Sequence, residues 1–132
     1  MAVVLVVEDE EQVRVLVESV LDQAGHQALS ASSINEALAL IQTDRTLDLL
    51  FTDIELEADQ QAGLVHAGLE LAQQARKMRP ELPVLYTTGN AVTDGMRALF
   101  VEGAHLLPKP YDVSGLESKL QEVMRAAKTE GA

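Results

Sequence analysis

Short runs of consecutive apolar residues alternate along this chain with longer segments in which apolar residues recur every three or four positions. Val3–Val7 is an unbroken, mostly β-branched run, as expected of a strand that is buried on both faces. The next segment has helical spacing, and Gly25 follows it as a stop signal. Its apolar positions are Val13, Leu16, Val17, Val20 and Leu21. The chain therefore begins with a predicted buried strand and an amphipathic helix.

The same alternation continues to the end of the chain. Further strands are predicted at residues 26–31, 47–52, 84–88 and 105–107. Further helices are predicted at 33–42, 68–77, 93–101 and in a last segment with one apolar face. The second of the predicted helices opens on a capping box of Ser33 and Glu36. Alternation of this kind indicates a parallel sheet with helices on both faces. We predict an α/β fold with one doubly wound five-stranded parallel sheet, strand order 2-1-3-4-5, and five helices, the flavodoxin-like arrangement.

Length and composition restrict the class of protein. The 132 residues fit one domain, which we place at residues 1–127, with a frayed C-terminal tail at 128–132. Cysteine is absent, which excludes disulfides and thiolate metal sites. The first apolar run has no basic flank and ends at Glu8, too early for a signal peptide or a membrane span. A net charge of −11 disfavours direct binding to nucleic acid. We expect a soluble, cytoplasmic protein.

Polar side chains stand at the predicted carboxyl ends of the strands, where ligands bind in an open parallel sheet. The first strand ends on Glu8 and Asp9, and the third strand ends on Asp53. The fourth strand ends on Thr88, and Lys109 follows the fifth. Each residue alone has an ordinary explanation as a helix N-terminal charge, a turn residue or a surface residue. Their joint placement at strand ends predicts a single polar site.

The residue types of this predicted site suit a divalent cation and a phosphoryl group. Three carboxylates at neighbouring strand ends repel one another, and a bound cation relieves that repulsion. Oxygen ligands favour Mg²⁺ or Mn²⁺ over zinc. The Thr88 hydroxyl and the Lys109 ammonium are donors suited to phosphoryl oxygens. A carboxylate nucleophile, a cation, a hydroxyl and an ammonium are together what phosphoryl transfer requires.

An ordered set of motifs resembles the receiver domain of bacterial two-component response regulators. The set is Glu8-Asp9, Asp53, Thr88-Gly89 and Lys109-Pro110, with Leu82-Pro83-Val84-Leu85 and Gly103-Ala104 at matching places. The resemblance extends over residues 2–127, essentially the whole chain. It implies a signalling module that takes a phosphoryl group from a sensor histidine kinase or a histidine phosphotransfer protein, in a reaction that needs Mg²⁺ or Mn²⁺. Such a module catalyses only its own phosphorylation and dephosphorylation and turns over no external substrate.

Carried over by position, the resemblance assigns three catalytic residues. Asp53 is the expected phosphoacceptor, Thr88 binds the phosphoryl group, and Lys109 pairs with a phosphoryl oxygen. Thr87, one residue early, is the less favoured hydroxyl. The expected metal ligands are Asp9, Asp53, the backbone carbonyl of Glu55, and Glu8 mainly through water. The resemblance also implies that a downstream protein binds the face formed by the fourth helix, the fifth strand and the fifth helix.

The sequence departs from the family pattern at three places. The usual Met-Pro after the phosphoacceptor is absent, and about six extra residues around positions 58–67 precede Gly68, forming either a passive surface loop or a lip over the site. Leu106 stands where the family often has a switching Tyr or Phe. Glu55 and Asn90 lie two residues beyond Asp53 and Thr88, where the family tunes the lifetime of its phosphoryl group. The three histidines, His26, His66 and His105, have no metal-site spacing and are expected to be incidental.

Other classes of protein fit the sequence less well. A Mg²⁺-dependent phosphatase of the haloacid dehalogenase type needs Asp-x-Asp after its first strand and a cap domain, which Asp53-Ile54-Glu55 after the third strand does not match. A flavodoxin needs a phosphate cradle in its first loop, where this chain has four acidic residues. A receiver-like domain that no longer takes phosphate is disfavoured by the complete site. The sequence leaves open the cognate kinase, the output partner, the oligomeric state, and whether the domain stands alone or belongs to a larger regulator.

Overall fold

Strands and helices alternate along the chain in the computed structural model, which describes residues 1–43 and 46–131. The five strands are β1 (Val3–Val7), β2 (Gln27–Ala31), β3 (Leu49–Asp53), β4 (Val84–Thr88) and β5 (His105–Pro108). The described helices are α1 (Glu11–Gln23), α2 (Ile34–Ile41), α3 (Glu57–Gln61), α4 (Ala67–Met78), α5 (Asp94–Arg97) and α6 (Val113–Gly131). Each predicted strand is present, with bounds within two residues of those expected from the sequence.

The five strands form one parallel sheet in the order β2-β1-β3-β4-β5, which confirms the predicted topology. The register places Val7 beside Thr52 and Asp53 beside Thr87. Because β1 and β3 are adjacent and run in the same direction, the residues that follow them meet at one edge of the sheet. The polar site predicted from the strand ends can therefore form at that edge.

Apolar side chains of each strand alternate between two cores, one on each face of the sheet. In β1, Leu5 and Val7 face the core that α2 and α4 cover, whereas Val4 and Val6 face the core that α1 and α6 cover. The three central strands are almost entirely buried, as their continuous apolar runs predicted. Burial on both faces holds the strand ends in fixed positions, and with them the polar residues that follow.

The second helix begins at the predicted Ser33 cap, but only half of the capping box forms, because Glu36 Oε1 accepts the backbone N–H of Ser32 at 3.4 Å rather than that of Ser33. The Ser33 hydroxyl accepts the backbone N–H of Glu36 at 3.3 Å. Beside it, the Asp59 carboxylate accepts the backbone N–H of Ile34 at 2.9 Å, although the two residues are 25 positions apart. The N-terminus of α2 is therefore capped both locally and by the inserted segment.

Two predictions about helices were wrong. Within the described residues the structure has six helices rather than five, because the inserted segment forms the short helix α3. The helix predicted at 93–101 extends only over Asp94–Arg97. Beyond it the N–H groups of Leu99 and Phe100 donate to carbonyls three residues back, and that of Val101 donates to the Tyr86 hydroxyl at 3.2 Å. Tighter turns and a tertiary hydrogen bond thus replace the last helical turn.

The C-terminal helix continues to Gly131, through most of the segment predicted as a frayed tail, while Ala132 lies outside the described residues. The domain boundary at residue 127 stays a prediction. In the part of the chain that the structure describes, no helix combines the length and the hydropathy that crossing a membrane requires.

Candidate functional site

Three carboxylates meet at the carboxyl edge of the sheet. Glu8 and Asp9 follow β1, and Asp53 is the last residue of β3. One carboxylate oxygen from each of the three lies within 4.8 Å of the others. Glu8 and Asp53 are almost fully buried, at 3% and 5% exposure, whereas Asp9 is half-buried. Buried carboxylates this close together need a positive partner.

Lys109 supplies that partner from the turn after β5. Its Nζ lies 2.7 Å from Glu8 Oε1 and 2.7 Å from Asp53 Oδ2. The backbone N–H of Lys109 donates to the Thr88 carbonyl at 2.9 Å, so the pairing of β4 with β5 continues to the lysine. The peptide bond between Lys109 and Pro110 is cis. The hydrogen bond to Thr88 fixes the backbone of the lysine, and the two ion pairs fix its side chain.

The Asp53 carboxylate and the Lys109 ammonium both have raised pKa values in this arrangement. Burial raises the pKa of Asp53 from 3.8 to about 7, against the hydrogen bond from Lys109 and with the added repulsion of Glu8. Burial alone would lower the pKa of Lys109, but its hydrogen bonds to Asp53 and Glu8 outweigh burial and raise that pKa. The lysine therefore stays charged and neutralises one carboxylate, and the second carboxylate is left without a counter-ion.

The Glu55 side chain links the turn after β3 to the end of β4. Glu55 Oε1 accepts the hydroxyl hydrogen of Thr88 at 2.6 Å and the side-chain amide of Asn90 at 3.1 Å. The backbone N–H of Asn90 donates in turn to the Thr88 hydroxyl at 3.1 Å. The other carboxylate oxygen of Glu55 is buried and has no hydrogen-bond partner among the described residues. These contacts form a closed ring of three residues, in which Asn90 takes part through both its side chain and its backbone N–H.

Backbone groups of the same turn bind two of the clustered carboxylates. The N–H of Glu55 donates to Asp53 Oδ1 at 3.1 Å, and the N–H of Glu57 donates to Asp9 Oδ2 at 2.5 Å. Hydrogen bonds of this kind stabilise the ionised form of a carboxylate. The turn that leads from β3 into the inserted segment is thus in direct contact with the acidic cluster.

The first turn of α4 packs directly against the backbone of Asp53. The Gly68 N–H donates to the Ile54 carbonyl at 2.8 Å. A Cβ atom placed on Gly68 would lie 2.0 Å from the Asp53 carbonyl oxygen and 2.7 Å from the Ile54 Cα. Only glycine allows this approach. The glycine that opens α4 therefore determines where the end of β3, and hence Asp53, can lie.

The structure connects all six residues predicted for the site. Glu8, Asp9 and Asp53 form the cluster, Lys109 pairs with two of its members, and Glu55 joins Asp53 to Thr88. The roles assigned to these residues stay predictions. Sequence reasoning missed the contact of the Glu55 side chain with the Thr88 hydroxyl. One feature of the sequence could have indicated this contact. Glu55 lies two residues after Asp53, Asn90 lies two residues after Thr88, and Asp53 and Thr88 end adjacent strands.

Two more hydroxyl groups near the site were not assigned a role from the sequence. Tyr111 lies beyond Lys109, and burial together with the charge of Glu8 raises its pKa to about 12. Its hydroxyl and that of Thr87 are buried without a hydrogen-bond partner among the described residues. Thr87 is paired in register with Asp53 on the neighbouring strand. Tyr111 also interacts electrostatically with Lys109 and Asp53, so both hydroxyls belong to the surroundings of the acidic cluster.

Leu106 occupies the position where the family often has a switching aromatic residue. Leu106 is half-buried and packs against the core, and the residue in register with it on β4 is Tyr86. Tyr86 is fully buried, stacks at a tilt on Phe100 with ring centroids 4.5 Å apart, and accepts the Val101 N–H through its hydroxyl. An aromatic hydroxyl is therefore present beside this position, but packing and a hydrogen bond fix it.

Two histidines have ordinary structural partners. His26 Nδ1 accepts the backbone N–H of Ala2 at 2.9 Å, and His105 Nδ1 lies 3.6 Å from a carboxylate oxygen of Glu122. His66 precedes the first residue of α4 and makes no side-chain capping hydrogen bond. None of the three belongs to a group of potential metal ligands in the described part of the chain.

Comparisons with known proteins agree with this fold. The sequence matches the model of the response regulator receiver domain over residues 4–121. The chain therefore belongs to the receiver domains of two-component response regulators, modules of phosphorylation-dependent signalling. This membership favours neither a phosphatase acting on external substrates nor a flavodoxin.

Individual relatives show how much of the chain is shared. It is 31% identical over 112 residues to the DNA-binding transcriptional regulator NtrC of Salmonella typhimurium, covering 84% of this chain and 22% of that protein. It superposes on the crystal structure of NtrX from Brucella abortus with a TM-score of 0.82 at 32% identity, covering 98% of this chain and 28% of that chain. A CheY-like receiver domain protein from Methanospirillum hungatei has the same fold, with a TM-score of 0.84 at 24% identity over 98% of both chains. The chain thus spans less than a third of the length of NtrC and of NtrX.

Proposed function

We propose that Asp53 accepts a phosphoryl group from a sensor histidine kinase or a histidine phosphotransfer protein and that the phosphorylated domain signals to a downstream protein. The observation that carries the proposal is the position of the Asp53 carboxylate. It lies at the end of a central strand, between the Lys109 ammonium and the Glu55 N–H, beside Glu8 and Asp9. A nucleophile, an acidic cluster and a fixed ammonium are the parts that phosphoryl transfer uses.

The acidic cluster fits Mg²⁺ or Mn²⁺. Its donors are all oxygen atoms, which hard divalent cations prefer. Three carboxylates against one ammonium leave two negative charges in a largely buried site, and a divalent cation neutralises them. Asp9, Asp53 and the backbone carbonyl of Glu55 would hold the cation, with Glu8 mainly through water. When bound, the cation offsets negative charge on the transferring phosphoryl group.

The chemistry on this chain is the formation of an acyl phosphate. A carboxylate oxygen of Asp53 forms a bond to phosphorus as the bond from phosphorus to the donor's imidazole nitrogen breaks, and the imidazole takes up a proton as it leaves. Lys109 has three N–H hydrogens and two carboxylate partners, so one hydrogen remains for a phosphoryl oxygen. The Thr88 hydroxyl provides a second donor. Hydrolysis by water later returns the free carboxylate and inorganic phosphate.

The output follows from the charge that the phosphoryl group brings. It adds about two negative charges and three acceptor oxygens, which attract the Thr88 hydroxyl and the Lys109 ammonium. Thr88 ends β4 and Lys109 follows β5, so the shift reaches the surface of α5, β5 and α6. This is the face of the fourth helix, fifth strand and fifth helix expected from the resemblance, renumbered because α3 is additional. A downstream protein binds there.

Phosphorylation by acetyl phosphate tests the proposal. Intact-mass analysis should show one added phosphoryl group in the presence of Mg²⁺ and none after chelation of the metal. Asp53→Asn should abolish the addition, and the matched control Asp22→Asn, which changes an exposed aspartate of α1, should leave it unchanged. Labelling of Asp53→Asn at the level of the unsubstituted protein would show that the acceptor is another residue.

A further inference from the structure

The Thr88 hydroxyl has a single hydrogen, and Glu55 occupies it. The hydroxyl donates to Glu55 Oε1 at 2.6 Å while it accepts the backbone N–H of Asn90 at 3.1 Å. Thr88 is 2% exposed, so water does not offer a competing partner. A hydroxyl donates one hydrogen bond at a time. The same hydrogen is therefore not available to a phosphoryl oxygen as long as the contact with Glu55 persists.

Lys109 is not limited in this way. Its ammonium has three hydrogens and is engaged with Glu8 and Asp53. It binds a phosphoryl oxygen with the third hydrogen and keeps both partners. Of the two proposed phosphoryl-binding side chains, Thr88 alone has to give up an existing partner.

We propose, on the basis of the function proposed above, that Glu55 is a positioning residue that competes with the phosphoryl group for the Thr88 hydroxyl. In the unphosphorylated protein Glu55 holds this hydroxyl in its ring with Asn90. Phosphorylation breaks the bond between Thr88 and Glu55, and the hydroxyl turns to the phosphoryl group. The free energy of that bond opposes activation and sets how readily the domain leaves its resting conformation.

Loss of the Thr88 bond also displaces Glu55. Its carboxylate then keeps only the Asn90 amide as a partner, because its other oxygen has none among the described residues. A carboxylate left in this position faces the negative phosphoryl group, and the repulsion favours movement outwards. Glu55 directly precedes Leu56, the residue before the first turn of α3. Release of Glu55 therefore couples phosphorylation to the inserted segment as well as to the loop after β4.

The first test measures the bond in the metal-free protein. Urea unfolding is compared for the unsubstituted protein, Glu55→Ala, Thr88→Val and the double variant. A hydrogen bond to a charged group is worth roughly tenfold in the unfolding constant. We expect each single variant to have a lower free energy of unfolding than the unsubstituted protein. The double variant should be only slightly less stable than either single variant. Full additivity of the two effects would show that the residues do not interact and would overturn the proposal.

The second test measures competition, with beryllofluoride in Mg²⁺ as the phosphoryl mimic. Glu55→Ala should bind it about tenfold more tightly than the unsubstituted protein, since the Thr88 hydroxyl is already free. In the Thr88→Val background the same substitution should tighten binding much less, because it then removes only the repulsion between Glu55 and the mimic. Glu55→Gln keeps the shape of the side chain and a weaker acceptor, so its affinity for the mimic should lie between those of the unsubstituted protein and Glu55→Ala. The control Glu11→Ala removes an exposed carboxylate at the same edge of the sheet and should change affinity less than twofold.

The outcomes separate this proposal from the proposed function. Failure of the unsubstituted protein to bind beryllofluoride would contradict the function, and the unfolding cycle would still report on the bond. If the unsubstituted protein binds the mimic but Glu55→Ala tightens binding equally with and without the Thr88 hydroxyl, the effect is charge repulsion alone. Competition for the hydroxyl would then be refuted, and phosphorylation would stand.

Discussion

Replacement of Gly68 by alanine should damage the fold and the site together. Gly68 is the second residue of α4 and is buried against the end of β3. The added Cβ would lie 2.0 Å from the Asp53 carbonyl oxygen and 2.7 Å from the Ile54 Cα. Both neighbours are backbone atoms, so neither can turn aside as a flexible side chain would. Helix and strand must separate by about 1 Å to relieve the contact.

The size of the effect follows from this displacement. Overpacking of a buried position costs roughly 1–3 kcal/mol, and the gain in helix propensity from glycine to alanine offsets up to about 1 kcal/mol. Because the added atom meets backbone at 2.0 Å, the cost lies at the upper end of that range, and we expect Gly68→Ala to lower the free energy of unfolding by about 2 kcal/mol. Because the strand end carries the Asp53 carboxylate, we also expect phosphorylation by acetyl phosphate to slow by roughly two orders of magnitude.

Urea unfolding and the rate of phosphorylation measure the two effects separately. The matched control is Gly95→Ala on α5, where the nearest atom to an added Cβ is the Thr93 hydroxyl oxygen at 3.9 Å. This control should be as stable as the unsubstituted protein or slightly more so, with an unchanged phosphorylation rate. The free energy of unfolding of Gly68→Ala could instead lie within roughly 0.5 kcal/mol of that of the unsubstituted protein, the range of a surface substitution. That result would show that the close approach of α4 to β3 does not position Asp53.

Three further predictions concern charge, metal and capping. In the metal-free protein the pKa of Asp53 is raised from 3.8 to about 7, so its contribution to stability is complete below pH 4 and is lost as the pH rises to 7. Urea unfolding across that range should show this loss of stability, and Asp53→Asn should abolish the pH dependence. Mg²⁺ titration should find much weaker binding in Asp9→Ala and a smaller loss in Glu8→Ala, and unchanged affinity in Asp9→Ala would refute the cluster as a metal site. Asp59→Ala should lower the free energy of unfolding by about 1 kcal/mol through loss of the cap on α2, whereas Asp59→Asn, which keeps an acceptor oxygen, should lose less.

The sheet was predictable because its strands are buried on both faces. The run Val3–Val7 contains no polar residue, and Glu8 and Asp9 of the site follow it directly. The N-cap at Ser33 was predictable because its hydrogen bond to the Glu36 N–H is local. The last turn predicted for α5 did not form, because the Val101 N–H finds the Tyr86 hydroxyl fifteen residues earlier in the chain. Local periodicity contains no information about such a partner.

The membership of the site was also predictable, but its connections were not. Parallel topology brings Glu8, Asp9 and Asp53 together whatever their rotamers. The choice of partner by the Glu55 carboxylate depends on the path of the turn after β3, where the chain departs from the family spacing. Helix α3 was missed for the same reason, since its five residues are anchored by the contact of Asp59 with α2 rather than by an apolar periodicity.

The inserted segment contacts more of the site than a surface loop would. Its approach begins at Glu55, whose backbone binds Asp53 and whose side chain binds Thr88. Two residues later the Glu57 N–H binds Asp9, and Asp59 then anchors α3 to the start of α2. A shift in any of these groups changes the hydrogen bonding of a carboxylate in the cluster or of the Thr88 hydroxyl. If phosphorylation of Asp53 shifts these contacts, reciprocity requires that a ligand bound to the insertion would change how readily Asp53 is phosphorylated.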